Sequence, residues 1–332
     1  MTIARDRARG ALLGLAVGDA LGTTYEFERL DQPPYPALAT GPATDVVGGG
    51  PFDLAAGCVT DDTQMAVCLA TSLAAHGQLD IVDLGARYVA WSQHAFDIGV
   101  QTGAALGRIE RGESPELAGR SVWIASGRQS AGNGSLMRTA PLAVHGAGTP
   151  HRAWEVMAES MITHADPRCV FACASFDAAI AAYLAGADAF AAARAALAAS
   201  AVFVRRLWHA DPADDQPIRG AESAIAADLE RAKTDDPGFD RSGFVRTAFR
   251  LAFWHAHHTA SWRDAVVDVA SRGGDADTNA AITGALLGAR DGAAAIPPAW
   301  IERVLAATLP GPREWADAHH PQHLLALADS GR

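Results

Sequence analysis

The stretch GALLGLAVGDALG, residues 10–22, decides the fold. Gly10, Gly14, Gly18 and Gly22 recur every four residues, so on a helix they line up in one stripe. A stripe without side chains lets a second helix lay its backbone against the first, and the spacing predicts such a seam. The helical pattern runs from Arg5 to Phe27. On the neighbouring face Ala8, Leu12, Leu15, Asp19 and Glu26 recur at spacings of three, four or seven, so two acids continue an otherwise apolar stripe.

Composition agrees with close-packed helices. The chain has 332 residues, of which 49% are hydrophobic and only 7% aromatic, with small side chains abundant. The formal net charge of −11 repels phosphate backbones, which makes a nucleic-acid surface unlikely, and it favours divalent cations weakly. Cys58, Cys68, Cys169 and Cys173 show no zinc-ribbon spacing and read as buried free thiols of a reducing compartment. Basic residues ahead of the apolar N-terminal run resemble a signal peptide, but Asp19 interrupts the run. No run is read as approaching the roughly 18–20 apolar residues of a membrane span. The expectation is a cytoplasmic chain with no membrane partner.

Farther along, residues 28–59 form a long loop rich in proline and glycine. Thr60 suits the N-cap of a helix that Gly77 ends. Residues 80–112 read as one or two helices with Val89, Trp91 and Leu106 buried, and residues 151–207 as strongly helical. Residues 209–220 and 233–243 break the pattern as surface loops. Further helices follow, and alternating strand-like runs are few. The fold class is all-α, a compact multi-helix domain over residues 1–332.

Chemistry-bearing residues gather at helix starts. In GGDADTNAAI, residues 273–282, Asp275 and Asp277 precede a buried-looking apolar run. Their spacing resembles a calcium loop but fails at Ala280 and Leu286. Helix capping by Asp275 explains one acid, and the second is left over. TDDTQ, residues 60–64, repeats the grammar with Thr60, Asp61 and Asp62, and Glu26 adds a third segment. Carboxylates gathered without a cation repel one another, whereas Mg²⁺, Mn²⁺ or Ca²⁺ with oxygen ligands relieves the repulsion. GNGSLMR, residues 132–138, offers backbone N–H groups that can cradle phosphate, although an ordinary turn explains the same residues. His164 lies where a helix meets a loop. His255, His257 and His258 and the tail histidines carry no metal spacing.

Taken in order, GALLGLAVGDALGTTYEF, VTDDTQMA, GNGSLMRTAPLA, ITHADP and RGGDADTNAAITGALLGA resemble the ADP-ribosylglycohydrolase family over nearly the whole chain. The resemblance implies an all-α fold with a two-metal cleft holding two Mg²⁺ or Mn²⁺. Thr60, Asp61, Asp62, Asp275, Asp277 and Thr278 are the implied metal ligands. Gly132, Asn133, Gly134, Ser135 and His164 are the implied substrate contacts. Glu26, Asp61, Asp62 and Asp275 are the catalytic candidates, and Asp19 is expected to be structural. The implied activity is release of ADP-ribose from a modified protein or small molecule, with arginine the first choice of acceptor. Serine, nucleic-acid and small-molecule ester linkages are alternatives, as is a non-catalytic ADP-ribose-binding or crystallin-like protein. One departure bears on the acceptor. A branch of the family carries an aspartate just ahead of the Ala-Gly-Asn loop, where this chain has Ser130.

Overall fold

The computed structural model describes residues 2–27, 44–146, 153–208, 211–238 and 242–329. Among them the helices are α1 (Ile3–Gly22), α2 (Asp61–His76), α3 (Ile81–Ser92), α4 (Val100–Glu110), α5 (Pro115–Ala125), α6 (Ala140–His145), α7 (Ala153–Met161) and α8 (Pro167–Ala185). They continue as α9 (Ala189–Leu207), α10 (Asp215–Arg231), α11 (Val245–His258), α12 (Trp262–Ser271), α13 (Ala276–Asp291), α14 (Pro298–Ala306), α15 (Arg313–Ala318) and α16 (Gln322–Asp329). Two isolated β-bridges, Gly49 with Leu54 and Gly132 with Phe244, are the only extended pairings among the described residues.

The glycine stripe of α1 finds its partner in α13. A methyl group placed on Gly10, Gly14 or Gly18 would stand 2.2, 2.1 or 2.2 Å from the carbonyl oxygen of Gly288, Gly284 or Ala280. Gly284 and Gly288 answer in kind, 2.2 and 2.0 Å from the carbonyls of Gly14 and Gly10. No real side chain fits there, so the two backbones touch along three turns and dispersion acts at full packing density. The indole of Trp262 on α12 donates to Gly284 O at 2.9 Å and closes the edge of the seam. Around it Leu12, Leu15 and Leu21 pack with Phe171, Phe176, Phe249 and Phe253, all buried.

The seam has a functional consequence. It fixes the C-terminal end of α1 beside the N-terminal end of α13, where Gly22 lies 2.4 Å, by the same measure, from Ala276 O. Asp19 and the Asp275–Thr278 segment are thereby brought to one place.

Several expectations need correction. α1 ends at Gly22, and Thr23–Tyr25 is a 3-10 turn, so Glu26 leaves the helix and sits beyond its end. Residues 209–220 are not simply a loop: a 3-10 turn at Pro212–Asp214 leads into α10, because Asp211 caps it by accepting the Ala213 N–H. α8 is long and apolar enough to cross a membrane, with a mean hydropathy of 1.4, but 78% of that window is buried among other helices. It is a core helix that the sequence reading missed as a span candidate. Gly77 does take φ +69° and returns its N–H to Leu73 O at 2.8 Å. Trp91 and Leu106 are buried and Val89 is half-buried. The four cysteines are free and buried. Half of the predicted 28–59 loop, residues 28–43, lies outside the described residues.

Candidate active site

Asp19 organises the first helix start. It is fully buried and accepts the backbone N–H groups of Thr60 at 3.0 Å and Thr63 at 3.2 Å, with the Thr60 hydroxyl at 2.9 Å. A side chain from α1 therefore satisfies the exposed donors of α2. Thr60 occupies the N-cap position, but its own side chain does not cap. Freed from that duty, its hydroxyl lies between carboxylates: 3.1 Å from Asp62 Oδ2 and 3.5 Å from Asp277 Oδ2.

The second helix start repeats the device. Asp275 stands at the N-cap of α13, yet its side chain makes no cap hydrogen bond, which overturns the capping explanation. It accepts instead from the Asn133 amide. Consecutive Gly273 and Gly274, both at φ +69°, turn the chain so that α12 delivers it there. Thr278 Oγ1 reaches Asp62 Oδ2 at 3.4 Å, so the two starts touch.

Asp97, in the turn before α4, joins them. Carboxylate oxygens of Glu26, Asp97 and Asp277 lie within 4.8 Å of one another. Asp61 lines a cleft with these three acids, and the charge of Asp97 adds to burial in raising its pKa. Burial first, then neighbouring acids, push Glu26 up to about 11 and Asp61, Asp62 and Asp277 well above the carboxylate range. Burial likewise lifts Asp97 to about 6. Buried Asp62 Oδ1 and Glu26 Oε2 have no hydrogen-bond partner among the described residues. Orphaned acceptors in an all-oxygen cluster match the ligand set of a hard cation. The acidic cluster is therefore a site that could bind a metal.

The cleft that the cluster lines has a volume of about 410 Å³. Gly132, Asn133, Gly134 and His164 line the same cleft, with Asn133 against Asp275. A methyl group on Gly134 would stand 2.8 Å from the His164 ring, so glycine is needed for loop and imidazole to meet. The loop is less open than its sequence implied. Gly132 N–H donates to Gln101 Oε1 at 3.2 Å and Asn133 N–H to Gly243 O at 3.0 Å, leaving those of Gly134 and Ser135 without a partner among the described residues. The Ser135 hydroxyl faces away, accepting from Ser160 at 2.9 Å.

The ADP-ribosylglycohydrolase family model matches residues 1–330. The chain belongs to the ADP-ribosylglycohydrolase family. It is 35% identical over 311 residues to the ADP-ribosylarginine hydrolase Tri1 of Pseudomonas putida (strain GB-1), covering 91% of this chain and 75% of that one. It is 31% identical over 302 residues to the ADP-ribosyl-(dinitrogen reductase) glycohydrolase of Rhodospirillum rubrum, covering 90% of both. The solved structure of an ADP-ribosylglycohydrolase-related protein complex matches it with a TM-score of 0.72 and 29% identity over the full length of each chain.

In this glycohydrolase, Glu26, Asp61, Asp275, Asp277 and Thr278 line the cleft, while Thr60 and Asp62 lie directly beneath, buried. Ser135 is not on the cleft surface. Ser130 is hydrogen-bonded to Ser126 at 2.6 Å and lines no part of the cleft. Sequence reasoning missed Asp97, Gln101 and Gly243. Asp97 has a faint signal, an acid two residues ahead of a glycine that opens a helix, but nothing in AFDIGV ties it to distant aspartates. A methyl group on Gly243 would make a tight 3.2 Å contact with Asp275 Oδ2, in a segment read only as surface loop.

Proposed function

We propose that this chain hydrolyses the N-glycosidic bond between ADP-ribose and an arginine side chain, using two Mg²⁺ or Mn²⁺ ions held by its acidic cluster. One observation carries the reading: acids from separate segments meet in a cleft that Gly132–Gly134 and His164 also line. Relatives named for ADP-ribosylarginine and for ADP-ribosylated dinitrogen reductase support the acceptor and a protein substrate. Thr60, Asp61 and Asp62 from one helix start and Asp275, Asp277 and Thr278 from the other would hold the ions. When bound, such ions orient ribose hydroxyls and make these and a nearby water more acidic.

The chain's own residues supply the rest. The bond from C1″ to the guanidinium nitrogen breaks, water adds its oxygen to C1″, and a proton reaches the departing nitrogen. Carboxylates around the cleft stabilise the positive charge that develops at C1″. Asp97 and Glu26, the cleft-lining acids outside the two ligand groups, are placed to move the proton. The N–H group of Gly134, without a partner among the described residues, lies at the cleft and is available to a phosphate. The test is release of ADP-ribose from ADP-ribosylarginine and ADP-ribosylserine peptides, each with Mg²⁺ and with EDTA. Mg²⁺-dependent release from arginine is expected. Faster release from serine overturns the acceptor, and no release from either overturns the activity.

A further inference from the structure

Beneath the cleft wall lies a polar network that the reaction scheme does not use. Arg138 is fully buried, an expensive place for a cation unless every donor is satisfied. Its Nε donates to Glu159 Oε1 at 2.6 Å, and its guanidinium stacks 4.6 Å from the Tyr88 ring centre. Tyr88 in turn donates to the same Glu159 oxygen at 2.8 Å. Two further Arg138 donors point toward the cleft wall: Nη1 to Gly134 O at 3.1 Å and Nη2 to Thr163 Oγ1 at 2.9 Å. Thr163 Oγ1 is 2.7 Å from His164 Nδ1.

The protons in this chain can be counted. Guanidinium only donates, so the Thr163 oxygen is an acceptor toward Arg138. Thr163 is itself fully buried, and its hydroxyl hydrogen has no other acceptor among the described residues than His164 Nδ1. If Nδ1 carried the ring proton, the hydroxyl would receive from both sides and its own hydrogen would be stranded without a partner, which costs free energy in a dry interior. The hydroxyl therefore donates to Nδ1, and the ring proton sits on Nε2, the atom that faces Gly132 and Gly134 at the cleft. The Arg138 charge also opposes a second proton on the ring.

We propose that Arg138 and Thr163 are positioning residues that fix His164 as the neutral Nε2–H tautomer, presenting a single uncharged donor to an oxygen acceptor of the bound ligand. The same Arg138 clamps Gly134 by its carbonyl, so loop and imidazole are held in one register. Identifying that oxygen as a ribose or phosphate oxygen rests on the ADP-ribose reading above, but the tautomer does not.

The experiment is nitrogen-detected NMR of the ¹⁵N-histidine-labelled protein without ligand, with His164 assigned by difference from His164→Gln. An Nε2–H ring is expected in the parent and in Thr163→Ser, and a mixture or the Nδ1–H form in Thr163→Val. A parent ring protonated on Nδ1 overturns the proposal, as does an Nε2–H ring that persists unchanged in Thr163→Val. Both results leave the hydrolase reading standing. In turnover, Thr163→Val raises KM about tenfold, as expected for one misdirected hydrogen bond, and Thr163→Ser restores it. A Thr163→Val loss confined to kcat, with KM unchanged, also overturns it.

Discussion

The two ends of one helix pair behave in opposite ways. Along most of their length α1 and α13 form a seam in which glycine and alanine backbones touch. Where the pair ends, Asp19, Asp275 and Asp277 join Asp61, Asp62, Asp97 and Glu26 in a buried cluster whose members push one another toward protonation. The seam is stabilised by its own packing. The cluster is held together by the rest of the fold against its own repulsion. Function thus sits where the structure carries strain, and the rigid seam is what keeps that strain in place.

The contrast predicts effects of different kind. The largest is in activity: Asp277→Asn lowers kcat/KM for ADP-ribosylarginine about a thousandfold, near 4 kcal/mol in the transition state. Its melting temperature in EDTA stays level or rises, because a buried acid that is costly to ionise has gone. A lower melting temperature with full activity would reverse the contrast. Next comes the seam, where Gly14→Ala places a methyl group against Gly284 O and costs about 3 kcal/mol. Chemical denaturation measures this, and a variant as stable as the parent would show that the backbones do not touch.

Smaller is the pH response of the cluster. Asp97 binds its proton more tightly in the folded chain than an unfolded aspartate does, with a folded value of about 6. Such a group favours folding at low pH and loses that contribution as pH rises through its folded value. In EDTA the parent therefore loses about 2 kcal/mol of stability relative to Asp97→Asn between about pH 4 and pH 7. Equal slopes for the two proteins would mean that Asp97 is solvated like a surface acid. The smallest effect is Ser130→Ala. Its hydroxyl bonds only Ser126 and stands off the cleft, so turnover changes less than about twofold. A larger loss would place the acceptor against that loop.

How much was legible follows from the range of each interaction. The four-residue glycine period is a local property of one helix, and it announced a seam without naming the partner. Thr60–Asp62 and Asp275–Thr278 were legible because too many acids crowd two helix starts for capping to explain. Asn133 was legible as a loop residue but not as the donor that steers Asp275. Asp97 was at most faintly legible, since a single aspartate in a turn carries no local sign that Glu26 and Asp277 lie within one ion's reach.

The sequence by itself determined the helices, the side-chain-free stripe and the excess of carboxylates, because periodicity, capping and charge count are written in neighbouring residues. Only the tertiary structure decided which acids share one cluster, that Asp19 rather than Thr60 caps α2, and which histidine nitrogen faces the cleft. Those depend on contacts between segments far apart in the chain, and a proton or a cation responds to distance in space.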